Sequence, residues 1–428
     1  MVVFRRYLSA LWGSMGFVPG LIAAASMALG VILSGAVGRS LLDSVKEPAF
    51  DPQSASAVLT SLAGGAITVA AVVLSITMVV LSSASSQFGP RLLPNFMRKS
   101  GTKLAMGGFV GSFAYQIVVA SALGLGERVP DLAVWVGIVG SLAAFAILLA
   151  FVQMVSRFIQ VPYIIDEVTH DLHRALEKLA RHGSAEPMGE MPGGTGQAVT
   201  VRSDRDGYVQ LIDLDRLVQL ATEAGGCIVS RVRAGSFVPG NGTLASLHGT
   251  SDLEVHKVRA CFGLGPNRSQ AQDVEFAIRQ LVEIAVRALS PGINDPHTAI
   301  NAIDRLAGAF ADIAACGVRS GLLRDDQGKV RLRVPLPGVD DLFDAAYHPL
   351  RQNARAVEAV AIALLDSYRA LADLPKLHPD VRGAVEKHAR LLLEDFEVAK
   401  PSEYDLQEFR KRFDALMELL AAQDSSAA

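Results

Sequence analysis

The side chains able to do chemistry are few and scattered. His170 and His173, with Asp166 or Glu167 one turn earlier, offer nitrogen and oxygen ligands on one stretch, and Asp344 stands four residues before His348. No thiol accompanies the first pair, and its spacing matches no zinc motif. A single carboxylate beside a single imidazole is also far short of a nucleophile, base and orienting group. Both sets read as surface groups. A denser set, Pro291, Gly292, Asn294, Asp295, His297 and Thr298, crowds one turn. It is a structural corner or a ligand site, and turn and capping chemistry explains it without a ligand. The three cysteines, Cys227, Cys261 and Cys316, are odd in number and widely spaced, so neither a disulfide framework nor a zinc pattern is visible, and a reducing compartment suits them. No P-loop, nucleophile elbow, H-E-x-x-H or dinucleotide fingerprint occurs. The expectation is a protein that is not an enzyme and holds no cofactor and no metal.

A different pattern runs through an apolar stretch. Ser61, Gly65, Thr68, Val72, Ser75, Val79, Ser82 and Ser86 recur at alternating steps of four and three, which places small and hydroxyl residues on one helical face. In lipid such a face lets helices approach closely and bond through hydroxyls, and Gly107 with Gly111 makes a second small-residue notch. Alternatively, in an oligomer the stripe lines a polar path for ions or small solutes, its hydroxyls partly replacing water. Both readings stay open.

The elements that position these residues follow from charge and hydropathy. Half of the 428 residues are hydrophobic and only 19% are charged, with the apolar runs crowded into residues 1–160. Phe17 to Gly38 carries no charge over about 22 residues, enough at roughly 1.5 Å per residue to cross a hydrocarbon core of about 30 Å. Further uncharged runs extend from Ala57 to Ser86, Leu104 to Gly126 and Leu132 to Ser156. Four transmembrane helices in two hairpins are predicted, with the lipid bilayer as their partner. Arg5 and Arg6 precede the first run, and Arg91, Arg98, Lys99 and Lys103 follow the second without an acid. The positive-inside rule therefore puts both termini in the cytoplasm. The runs contain no Asp, Glu, Lys, Arg or His, which disfavours a proton- or ion-coupled carrier; only Gln116 and Gln153 are strongly polar there. A net charge of −3 without a basic block gives no footprint for nucleic acid.

Beyond the spans, Ile164, Ile165, Val168, Leu172, Leu176 and Leu179 recur at helical spacing, followed by a Gly- and Pro-rich stretch, so 161–197 reads as an amphipathic linking helix and loop. Residues 198–250 hold short β-like runs punctuated by glycine. Their segment Gly207, Val209, Ile212, Asp213 and then Gly235, Val238, Gly240, Gly242, Leu244 resembles the barrel-sandwich fold of lipoyl and biotinyl domains. Those domains present a modifiable lysine, and no Lys lies between Lys178 and Lys257, so a structural β module is expected. Residues 251–428 read as mainly helical. Ser269 is the expected cap of a helix with the apolar face Val274, Ile278, Leu281, Val282, Ala285 and Leu289; Asp295 caps the next, and a later helix is kinked or restarted at Pro349.

The segment Arg287-Ala288-Leu289-Ser290-Pro291-Gly292-Ile293-Asn294-Asp295-Pro296, the Gly-Tyr-Val-Gln-Leu-Ile-Asp stretch at 207–213 and the Ser-Ser-Gln-Phe-Gly-Pro end of the second span resemble an uncharacterised bacterial family of predicted membrane proteins, a domain of unknown function. The resemblance runs over nearly the whole chain and implies architecture without any catalytic residue. The expected fold is a membrane α-helical domain of four spans plus a cytoplasmic α+β part with a small β-barrel-like module and a helical bundle. The expected role is that of a bacterial inner-membrane homo-oligomer, a channel for ions or small solutes with a cytoplasmic assembly or gating domain. The alternative is a membrane-anchored sensor or scaffold without transport.

Overall fold

All four charge-free runs are helices in the computed structural model, which describes residues 16–35, 50–89, 100–125, 131–158, 160–181, 198–249, 254–355 and 357–427. They are α1 (Phe17–Ser34), α2 (Pro52–Phe88), α3 (Ser100–Gly124) and α4 (Asp131–Phe158), each long and apolar enough to cross a bilayer. Asp51 starts α2 by accepting the Ser54 amide at 3.0 Å, with Pro52 at the first helical position, where its missing N–H costs nothing. Helix contacts depend on small residues. A Cβ on Gly107 would fall 2.6 Å from Ile22 Cδ1, and one on Gly111 2.8 Å from Ser26 Oγ, so the notch in α3 receives α1. Helix α2 turns Ala55, Leu59, Ala66, Ala70 and Val73 inward, where they cluster with α3 residues such as Tyr115 and Phe109. Between α3 and α4, polar links add to the apolar packing of residues such as Phe109 and Val119 on Phe151 and Val134. Tyr115 Oη donates to the Ala133 carbonyl at 2.8 Å, and buried Gln116 donates through Nε2 to Ser112 Oγ at 3.0 Å, to the Gly137 carbonyl at 3.3 Å and to Ser141 Oγ. Most charges that set the expected orientation, Arg5, Arg6, Arg91, Arg98 and Lys99 among them, lie outside the described residues.

Residues 161–428 form a second unit. Its elements in order are α5 (Val161–Arg181), β1 (Val199–Arg202), β2 (Gly207–Ile212), α6 (Leu214–Glu223), β3 (Cys227–Ser230), β4 (Phe237–Val238), β5 (Thr243–His248), α7 (Val255–Ala260), β6 (Phe262–Gly265), α8 (Val274–Ala288), α9 (Pro296–Ala314), β7 (Leu322–Arg324), β8 (Val330–Arg333), α10 (Val339–Ala354), α11 (Glu358–Ala372), α12 (Pro379–Val398) and α13 (Glu403–Ala427). The strands make two sheets, ordered β1-β5-β3-β8-β7 and β4-β2-β6, and neither closes into a barrel. This corrects the barrel-sandwich expectation for 198–250. Asp213 accepts the Arg216 amide and starts α6 in the middle of that segment. The sheets are then completed from outside it, by β6 and by β8, which pairs in parallel with β3 through Ile228 opposite Leu332. Both sheets and α6 share one core that includes Val201, Val209, Leu217, Ile228, Leu244 and Leu332.

The helical part begins with α5, whose Ile164, Ile165, Val168, Leu172, Leu176 and Leu179 are all buried. They pack on α8 and α9, and His173 Nδ1 meets Asp312 Oδ2 at 2.7 Å. The helix is thus built into the bundle. Helix α8 is capped by Asp273 rather than Ser269: Arg268 holds Asp273 through two hydrogen bonds of 2.6 and 2.8 Å, while Ser269 donates to the Gln210 carbonyl at 3.1 Å. Pro349 lies inside α10, and the break comes beyond Ala354.

Candidate functional site

Four helices of the second unit, α9 to α12, bury an aromatic core in which Phe310 and Phe343 stand 4.7 Å apart by ring centroids and Tyr347 and Tyr368 4.9 Å. At its edge α10 presents Asp344 and His348 one turn apart, and α12 supplies His388. Asp344 Oδ1 is met by three nitrogens: Lys387 Nζ at 2.8 Å, His388 Nε2 at 3.0 Å and His348 Nε2 at 3.2 Å. Among the described residues this is the single set of three His, Cys, Asp or Glu side chains close enough to share a cation. His388 is fully buried, and Asp344 and His348 are about one-third exposed. Burial pushes the His388 imidazole down to about 4, helped by the neighbouring His348 and opposed by Asp344. For Asp344, desolvation acts to raise the carboxyl, but the hydrogen bond and charge of Lys387 prevail and hold it below the usual range.

Donor geometry sets the tautomers. A carboxylate only accepts, so Nε2 of His388 carries the proton; its Nδ1 is buried with no hydrogen-bond partner. His348 likewise turns Nε2 to Asp344, while Nδ1 accepts from Arg351 Nη2 at 3.4 Å. Arg351 in turn pairs with Asp395, which Arg355 also reaches at 2.5 Å. The expected Asp344–His348 surface pair is therefore two-thirds of a set whose third member lies 44 residues from Asp344. One sequence signal pointed at His388. It stands on the apolar face of α12 with Val381, Ala384, Val385 and Leu392, a place where an imidazole needs a reason.

Elsewhere the structure places the predicted residues without assembling a second site of this kind. At the corner between α8 and α9, Asn294 adopts φ 48°, a left-handed turn position, and its amide donates to the Ser290 carbonyl at 2.9 Å. Asp295 accepts from the Thr298 amide at 3.1 Å and hydroxyl at 2.6 Å. Pro291, Gly292, Asn294 and His297 are exposed. His170 is exposed and His173 is taken by Asp312. In the membrane unit all eight stripe residues of α2, Ser61, Gly65, Thr68, Val72, Ser75, Val79, Ser82 and Ser86, are exposed. A Cβ on Gly65 would meet nothing within 4 Å, and Thr68 Oγ1 donates back to the Gly64 carbonyl at 2.8 Å.

Four membrane-length helices with a separate α+β unit define a multi-pass membrane protein. The chain belongs to the family described as "Predicted membrane protein (DUF2254)", which matches residues 12–370. It is similar to the uncharacterized proteins Mb1321c of Mycobacterium bovis and Rv1290c of Mycobacterium tuberculosis, each 27% identical over 405 residues that cover 91% of this chain and 77% of theirs. No solved structure matches.

Proposed function

We propose that this protein sits in the bacterial inner membrane with both termini in the cytoplasm. There it assembles as a homo-oligomer through α2 and passes ions or small solutes along the joined hydroxyl stripes. The observation that carries this reading is the exposure of every stripe residue from Ser61 to Ser86 while the opposite, alanine-rich face of the same helix is buried against α3. Packing within the chain thus accounts for one face of α2 and leaves exposed the hydroxyl-bearing stripe, flanked by large apolar residues such as Ile67, Leu74 and Met78 that suit lipid. The stripe itself gains little from lipid tails, whereas a second helix fits it closely and water or ions bond its hydroxyls. The absence of charge from the apolar runs of all four spans, where Lys103, Asp131 and Arg157 stand only near helix ends, favours a passive path over a coupled carrier.

The test uses a single cysteine at position 75 in a chain whose Cys227, Cys261 and Cys316 have been replaced by serine. Oxidation in native membranes is expected to cross-link the Ser75→Cys chain to its copy, and a membrane-impermeant thiol reagent to label it. Liposomes holding the wild-type protein should leak small ions, and Ser75→Leu should change that leak. A monomer in the membrane with tight liposomes would overturn the proposal. A membrane-anchored sensor or scaffold is the second reading, and the Asp344, His348 and His388 set in the α+β unit favours it.

A further inference from the structure

We infer that Asp344, His348 and His388 bind a divalent transition-metal cation of the zinc class, a site that departs from the metal-free expectation. The three ligand atoms lie within 4.8 Å of one another. The two carboxylate-to-imidazole separations, 3.0 and 3.2 Å, lie a few tenths of an ångström inside the edge of about 3.3–3.6 Å that follows from a tetrahedron with metal–ligand bonds of about 2.0–2.2 Å. Two imidazoles and one carboxylate suit a borderline cation; magnesium and calcium prefer oxygen throughout. The site is also held. His388 is packed against Tyr347 in the aromatic core, and two helices share the ligands, α10 giving Asp344 and His348 and α12 giving His388.

Proton accounting is closed. Ligation through Nε2 moves each imidazole proton to Nδ1, with none released. On His388 that atom is buried without a partner, so the shift breaks no hydrogen bond at Nδ1 but leaves a buried N–H without an acceptor, a cost the metal bond must exceed. On His348 it replaces the 3.4 Å contact from Arg351, whose guanidinium keeps Asp395. The remaining competitor is Lys387, 2.8 Å from Asp344 Oδ1 and 42% exposed, which swings into water as an ammonium when the metal arrives. The cation then ties α10 to α12 and keeps an open position on the exposed side.

This assignment is independent of the oligomer proposal. Full-length protein in detergent, stripped with a chelator, is titrated with Zn²⁺ and Mg²⁺ by calorimetry, and thermal unfolding is followed in parallel. One Zn²⁺ per chain should bind and raise the unfolding temperature, with Mg²⁺ silent. His348→Ala should weaken Zn²⁺ at least about tenfold. Lys387→Gln, which removes a like charge beside the ligand oxygen, should strengthen it about tenfold. His170→Ala should change nothing. Zn²⁺ binding that is absent, or indifferent to both His348→Ala and Lys387→Gln, overturns the site. If His348→Ala does not fold, Lys387→Gln decides alone: tighter binding supports the site, and unchanged or weaker binding removes it.

Discussion

Asp295 caps α9 by accepting the Thr298 hydroxyl and amide, and those two bonds hold its carboxyl below the usual 3.8. A carboxyl depressed in the folded state contributes stability above its unfolded pKa and loses it as pH falls through the folded value. Asp295→Ala should therefore cost about 1 kcal/mol at neutral pH and flatten the stability profile below about pH 4, as read by denaturant unfolding at stepped pH. The cysteines separate by the same logic of surroundings. Burial pushes the Cys261 thiol up to about 11 and raises Cys227 as well, whereas Cys316 is exposed. Because the thiolate is the reacting species, a maleimide at neutral pH should label Cys316 alone, with Cys227 and Cys261 appearing only after denaturation. Mass spectrometry of the labelled peptides checks this.

Helix α3 is the element on which the membrane unit depends, since Gly107 and Gly111 accept α1 on one face and Gln116 bonds α4 on another. Gly111→Val would drive a branched side chain into Ser26 and Ile22, and overpacking of this kind costs roughly 1–3 kcal/mol. Gly65→Val on α2 meets open space and should leave the unfolding temperature of the detergent-solubilised monomer unchanged. Elements of this kind were legible in the sequence, because a charge-free run of membrane length or a 3.6-residue apolar period reports its own surroundings. The caps at Asp51 and Asp295 are local signals of the same sort. What the sequence withheld was pairing at a distance. Ser269 lost the cap of α8 to Asp273 because Arg268 fixes that carboxylate. The open sheets were not legible in residues 198–250 because β3 takes its parallel neighbour from residues 330–333. His388 reached Asp344 only through the packing of α12 on α10.

The boundary at Gln160 and Val161 separates two units, each with its own core. Because α5 buries six apolar side chains on the bundle, a fragment of residues 161–428 should fold and remain monodisperse in aqueous buffer. A fragment starting at 198 should aggregate, having uncovered the faces of α8 and α9. Size-exclusion chromatography of the two fragments distinguishes these outcomes. The parallel contact of Ile228 with Leu332 also dictates timing during synthesis. Strand β3 leaves the ribosome before either of its neighbours; β5 follows shortly and covers one edge, and at roughly 5–20 residues per second β8 arrives only several seconds later. Throughout that interval the nascent polypeptide exposes a sticky backbone edge, so chaperone occupancy should peak between translation of codons 230 and 333 and vanish once β8 has emerged.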